Sequence, residues 1–272
     1  MSALRGRTCM PELSPPPLLQ PLDHPPCISG YTGDGVRIAV IDSGVNPRHP
    51  HIDASRLLPG IAIYPGQRKE YGEDATMDRL GHGTAVMAAI QEKAPAALYV
   101  PIQVFNDSLK TSKNALVQAI EWAITQQVHL INLSLGSTNP AHAEALITAI
   151  GSARQAGATL IAAQDVGGSV CYPGILPDVV GVTLDWDIPC TSYQVMSENK
   201  KLTLSAPGYP RAIPGVPQRR NLYGVSFSVA QITGSSACFL QEIRERGLSS
   251  TLEDVLRQKA DASSAHVSRS LT

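Results

Sequence analysis

The chain has 272 residues, of which 43% are hydrophobic and 17% charged, with a formal net charge of −1. That length supports one sizeable α/β core and is short for two, and the near-neutral balance offers neither the basic field that nucleic acid needs nor a polybasic patch for an anionic membrane. No apolar run of a secretion signal's length, roughly 7 to 15 residues, follows Met1, and no segment is apolar for long enough to span a bilayer, so the expected setting is cytoplasmic.

In chain order, residues 1–30 come first, crowded with Pro11, Pro15, Pro16, Pro17, Pro21, Pro25 and Pro26. Such density removes backbone donors and favours an extended tail over a folded unit. One folded domain is expected over 31–258, then a polar, Ser-rich tail over 259–272. Within the domain, strand and helix signals alternate. The run 36–41 is apolar apart from Arg37 and reads as a buried strand ending at Asp42. A helix is expected over 81–91, opening at His82. The next strand covers 97–104, where Pro101 points to an edge or a bulge. Apolar residues at 115, 116, 119, 120, 123 and 124 recur at helical spacing, and 128–135 reads as another buried strand. A helix over 141–156, strands over 158–163, 179–183 and 202–205, and a helix over 227–246 complete the pattern. Strands separated by helices of this length imply an α/β fold, a mostly parallel sheet flanked by helices on both faces. Active residues in such sheets gather beyond the carboxyl ends of strands, and Asp42, Ser134 and Asp165 stand at or just after such ends.

Three short motifs carry chemistry. They are Ile41-Asp42-Ser43-Gly44, Gly81-His82-Gly83-Thr84 and Gly224-Val225-Ser226-Phe227-Ser228-Val229-Ala230. Each alone has an ordinary explanation: a strand-end acid, a core histidine, a helix-capping serine. Together they supply what nucleophilic hydrolysis of an amide needs: a hydroxyl, a base to take its proton and a carboxylate to orient the base. His82 lies between two glycines at a helix start, which leaves its ring unobstructed, and the helix N-terminus disfavours imidazolium, so a neutral base is expected near pH 7. Ser226 also opens a helix, which aims its own N–H at the place where an oxyanion would form. The remaining histidines, His49 and His51 among them, show no metal spacing. The five cysteines, Cys9, Cys27, Cys171, Cys190 and Cys238, show no C-x-x-C pair. No metal, cofactor or disulfide framework is expected, and the thiols read as free.

The order Asp…His…Ser resembles the subtilisins, the subtilase family of serine peptidases known as peptidase family S8. So do Ile131-Asn132-Leu133-Ser134-Leu135-Gly136, Cys171-Tyr172-Pro173-Gly174 and Ser205-Ala206-Pro207-Gly208. The resemblance covers roughly residues 30–245. It implies a subtilisin-like fold, a triad of Asp42, His82 and Ser226, and an extended peptide or protein substrate bound by strand addition. By the same resemblance, the substrate would lie between a segment holding Tyr99, Pro101 and Gln103 and one holding Ser134, Leu135 and Gly136. The slot for the residue before the scissile bond would be walled by Ser134, Leu135, Gly136, Ala162, Ala163 and Gln164, with Cys171 at its far end. Nothing acidic there supports a preference for basic residues, and Gln164, standing for a glycine, should narrow the slot.

Three positions depart from the family pattern. Asp165 stands for the Asn that donates to the oxyanion, Val225 for a Thr, and Ala230 for a Pro. An ionised Asp165 has no proton to donate, whereas a protonated one could donate one hydrogen bond if burial raised its pKa far enough. The calcium loop that many subtilisins insert after the catalytic histidine has no counterpart between 90 and 97. The expected function is a slow or narrowly specific serine endopeptidase, with trimming of a dedicated precursor peptide as one such task. The alternative is a catalytically silent subtilisin fold that binds a peptide as a scaffold.

Overall fold

The computed structural model of the chain describes residues 30–196 and 201–269. The proline-rich segment over 1–30 lies, but for Gly30, outside the described residues. The chain runs through β1 (Arg37–Asp42), β2 (Ile61–Ile63), β3 (Lys69–Tyr71), α1 (His82–Lys93), β4 (Leu98–Gln103), α2 (Lys113–Thr125), β5 (Leu130–Leu133) and α3 (Ala143–Gln155). It continues through β6 (Thr159–Ala163), β7 (Asp165–Val166), β8 (Ser169–Val170), β9 (Val179–Leu184), β10 (Gln194–Val195), β11 (Thr203–Ala206), α4 (Val225–Arg246) and α5 (Leu252–Arg269).

Nine strands form one sheet in the order β10-β11-β9-β6-β5-β1-β4-β2-β3. The pairs between β11 and β2 are parallel, and only the end pairs β10–β11 and β2–β3 are antiparallel. The run 37–41 makes a central strand because both of its faces are apolar. Ile38 and Val40 enter the core shared with α1, α4 and α5, while Ala39 and Ile41 enter the core shared with α2 and α3. Burying one such aliphatic side chain stabilises by about 1.5–3 kcal/mol. No helix among the described residues is long and apolar enough to cross a membrane.

Two helix starts show how local sequence sets the elements. Ser112 accepts a side-chain bond from Ala115 N at 3.2 Å and opens α2, satisfying one of the donors that a helix start leaves free. Gly224 precedes α4 at φ 139°, a conformation that a residue with a Cβ rarely adopts.

Two expectations are corrected. Pro101 does not mark an edge: β4 lies between β1 and β2. Leu98 N donates to Val36 O and Val104 N to Asp42 O, while Tyr99 O accepts from Leu58 N on the other side. Backbone groups alternate sides along a strand, so the missing N–H of Pro101 faces outward, where Gly60 packs directly on its ring and carbonyl. The tail expected over 259–272 is instead helical as far as Arg269, as the end of α5. An acidic first turn, Glu253 and Asp254, favours that helix, and Thr251 ahead of it bonds Asp254.

Candidate active site

Asp42 ends β1 and is fully buried. Its Oδ1 lies 2.7 Å from Nδ1 of His82 and accepts from Ser43 N at 2.8 Å. Oδ2 is buried and has no partner among the described residues. His82 is the first residue of α1, after Gly81 in the left-handed conformation at φ 79°.

A second carboxylate, which the sequence reading did not single out, holds this arrangement. Asp78 Oδ1 accepts from Ser43 Oγ, Leu80 N and Gly81 N, each at 2.9 Å. Its Oδ2 accepts from Thr84 N at 2.8 Å and Thr84 Oγ1 at 2.6 Å. Asp78 thereby ties the turn after Asp42 to the helix start that carries His82. The readable signal was an Asp just ahead of a helix whose third residue is Thr, a helix-capping pattern. The two carboxylates also overturn the expectation of an imidazole held down by the helix start. Burial is the largest single influence and lowers the His82 pKa, but the Asp42 hydrogen bond, the Asp42 charge and the Asp78 charge together outweigh it, so the pKa lies above the ordinary histidine value.

Ser226 is the second residue of α4. The ring of its neighbour Phe227 lies 5.9 Å from that of His82. Ser226 Oγ donates to Ser134 O at 3.0 Å, and Ser134 Oγ donates back to Ser226 O at 3.3 Å. Behind them Asn132 Nδ2 donates to Ser134 Oγ at 2.8 Å, and Thr233 Oγ1 donates to Asn132 Oδ1 at 2.9 Å. The amides of the first α4 residues have no intrahelical acceptor, so the Ser226 N–H is available to an oxyanion.

On the acyl side, Ser134, Leu135 and Gly136 follow β5, while Ala162, Ala163 and Gln164 end or follow β6, the neighbouring strand. Ala162 and Ala163 are fully buried. Cys171 is buried against Gly136: a Cβ on Gly136 would stand 2.8 Å from Cys171 Cβ and 3.2 Å from its Sγ. Paired bonds between Ser137 and Tyr172, at 2.8 and 2.9 Å, fix that approach. Burial first, then the Asp165 charge, pushes the Cys171 thiol up, so it stays neutral.

Two expectations about this region change. Gln164 does not narrow the slot. Its Oε1 accepts from Lys201 Nζ at 3.0 Å and Thr203 Oγ1 at 2.8 Å, across β9 and away from β5. Tyr99, Pro101 and Gln103 are buried inside the sheet and bind no peptide edge. The Tyr99 hydroxyl donates to Ala94 O at 2.6 Å, and Gln103 Nε2 donates to Ser43 O at 2.8 Å and Met77 O at 3.0 Å. Both sides of β4 are occupied by β1, by β2 and by the Leu57–Leu58 segment, so strand addition there is blocked, and exposed chain resumes only near Asp107. Asp165 is half-buried and opens β7, and its Oδ1 accepts from Gly168 N at 3.0 Å. Among the described residues, no group of three or more His, Cys, Asp or Glu could hold a metal ion.

The subtilase family model matches residues 33–271. Subtilisin Savinase of Lederbergia lenta is 28% identical over 225 residues, covering 78% of this chain and 79% of that protein. Alkaline protease of Shouchella clausii is 28% identical over 225 residues, covering 78% of this chain and 56% of its own length, so the chain spans little over half of that relative. Among solved structures, the Prenylagaramide maturation protease PagA superposes with a TM-score of 0.63 at 24% identity, covering 85% of this chain and 83% of that one.

Proposed function

This chain belongs to the subtilase family, and on that premise we propose that it is a serine endopeptidase in which Ser226 attacks, His82 moves the proton and Asp42 orients His82. The observation that carries this reading is the 2.7 Å contact between the buried Asp42 and His82, with Ser226 opening α4 alongside. Attack requires Ser226 Oγ to exchange its bond to Ser134 O for one to His82 Nε2, a side-chain rotation of the kind that tightens on substrate binding. The proton passes to His82 as the Oγ–carbon bond forms. His82 then returns it to the leaving nitrogen as the carbon–nitrogen bond breaks, and water hydrolyses the acyl-enzyme by the same route.

The oxyanion receives the Ser226 N–H, and Asp165 puts a carboxyl group, its Oδ1 accepting from Gly168 N, in place of the amide donor of the family pattern. Loss of one such donor costs about 10² to 10³ in turnover, the magnitude known for a subtilisin. The enzyme is therefore slow. It is also narrow: Cys171 packed on Gly136 closes the slot to all but small residues before the scissile bond. That closure, and not the name of a fold neighbour, supports trimming of a dedicated peptide over general digestion.

Asp165 also motivates the second reading, a silent fold that holds a peptide in its cleft. Labelling the full chain with a fluorophosphonate between about pH 5 and 9 separates the two. Labelling that vanishes in Ser226→Ala supports the peptidase, whereas folded wild type that takes no label at any pH leaves the peptide-binding reading.

A further inference from the structure

A polar cluster lies across β9, on the side of the slot away from β5. In register, Ala162 of β6 stands beside Gly181 of β9, and Gly181 beside Thr203 of β11. Gln164 N still donates to Val182 O at 2.8 Å, so the alternation of the sheet extends to Gln164 and puts it on the same face as Ala162. From there its side chain crosses Gly181, and its Oε1 accepts from Thr203 Oγ1 at 2.8 Å and from Lys201 Nζ at 3.0 Å. These are the side-chain bonds of Gln164 among the described residues. Glycine is required beneath them: a Cβ at 181 would collide with Gln164 Oε1 and Lys201 Nζ and stand 2.8 Å from Gly174 O.

The backbone of the same residue joins the two segments that wall the slot. Gln164 O accepts from Cys171 N at 2.9 Å. Gly174 packs directly on the Ala163–Gln164 peptide, where a Cβ would overlap Ala163 O and stand 2.6 Å from Gln164 N. With its backbone fixed in this way, the Gln164 side chain has other staggered positions open to it, and what selects the observed one is the pair of donors on β11 and just ahead of it. Lys201 is half-buried, and burial lowers its pKa to about 8 against the raising charge of Glu253. At neutral pH it therefore still carries the charge that strengthens its bond to Gln164. We infer that Lys201, together with Thr203, is a specificity-determining positioning residue: it holds the Gln164 side chain drawn over Gly181 and out of the slot, so that the residue before the scissile bond meets Cys171 and not Gln164. The inference rests on the peptidase reading.

Hydrolysis of acetyl-alanine and acetyl-glycine p-nitrophenyl esters by the full chain tests it. The quantity read is the ratio of kcat/KM for the Ala ester to that for the Gly ester, so a change in overall turnover or in the folded fraction cancels. The wild type should favour the Ala ester about 4-fold, the worth of one methyl group buried in the slot. Lys201→Met keeps the reach of the side chain and loses the ammonium, and it should lower the ratio; Thr203→Val added to it should bring the ratio to about 1, as the freed Gln164 side chain takes the space of that methyl group. Adding Gln164→Gly to these two substitutions should restore the wild-type ratio, because no side chain is left to be held, whereas damage to the fold alone would not be repaired in this way. A wild-type ratio of about 1, a ratio that stays at the wild-type value in both Lys201 variants, or one that Gln164→Gly does not restore overturns the role of Lys201 and leaves the peptidase reading in place. Wild type that hydrolyses neither ester faster than Ser226→Ala overturns the peptidase reading, and the role of Lys201 with it.

Discussion

Ser226 Oγ donates to Ser134 O at 3.0 Å, joining two motifs 92 residues apart through the hydroxyl proton of Ser226. The hydroxyl therefore waits on the acyl side of the site, and Asn132 and Thr233 fix the segment that holds it. Chemistry begins when that bond is given up.

Asp165→Asn restores an amide donor beside the oxyanion and can still accept from Gly168 N through its carbonyl oxygen. Turnover of a small activated ester should rise by about 10² to 10³ with little change in KM, because the donor acts on the transition state. Steady-state kinetics decides it, and an unchanged or lowered kcat would remove Asp165 from the oxyanion site.

Cys171→Gly takes away the side chain that meets Gly136. The variant should gain cleavage after Leu or Phe by about 10-fold or more, the scale of one apolar side chain admitted to a pocket, while keeping cleavage after Ala. Cleavage-site mapping on a peptide library reads the result. No gain for large residues would mean that the slot is closed elsewhere.

The His82 pKa lies above its ordinary value, with Asp78 among the groups that raise it. Activity needs the neutral imidazole, so kcat/KM should rise with pH through a midpoint above about 6.5. Asp78→Asn removes one raising charge, so that midpoint should move to lower pH. The stability that protonated His82 contributes is fully present below its unfolded value and is lost as pH rises through the folded one. The same substitution should therefore flatten the loss of stability across that window. A rate profile that does not move would restrict Asp78 to holding the helix start.

Asn132 is fully buried and bridges Thr233 to Ser134. Asn132→Ala leaves Ser134 Oγ without its donor and should destabilise the fold by about 1–3 kcal/mol. Urea unfolding should show a lower midpoint with an unchanged slope.

The alternation of apolar runs with helical spacing was enough to read the parallel α/β sheet, because a strand buried on both faces and a helix with one apolar stripe each leave a local signature. Asp42, His82 and Ser226 were readable for a similar reason: each stands at a strand end or helix start that its neighbours in sequence announce. The neighbours across the sheet were not readable. β4 has the composition of a strand whatever its place, and only the pairing of β2 and the Leu57–Leu58 segment against it decides that Tyr99, Pro101 and Gln103 are core and not a peptide edge. Gln164 looked like an obstruction until the strand order gave it Lys201 and Thr203 across β9. The raised pKa of His82 depends on Asp78. Sequence by itself determined the elements and which side chains stand at their ends, because those follow from local pattern. Tertiary structure alone decided which edges are free, which polar groups are already satisfied and where space is left, because burial and hydrogen-bond partners are set between segments that no local pattern connects.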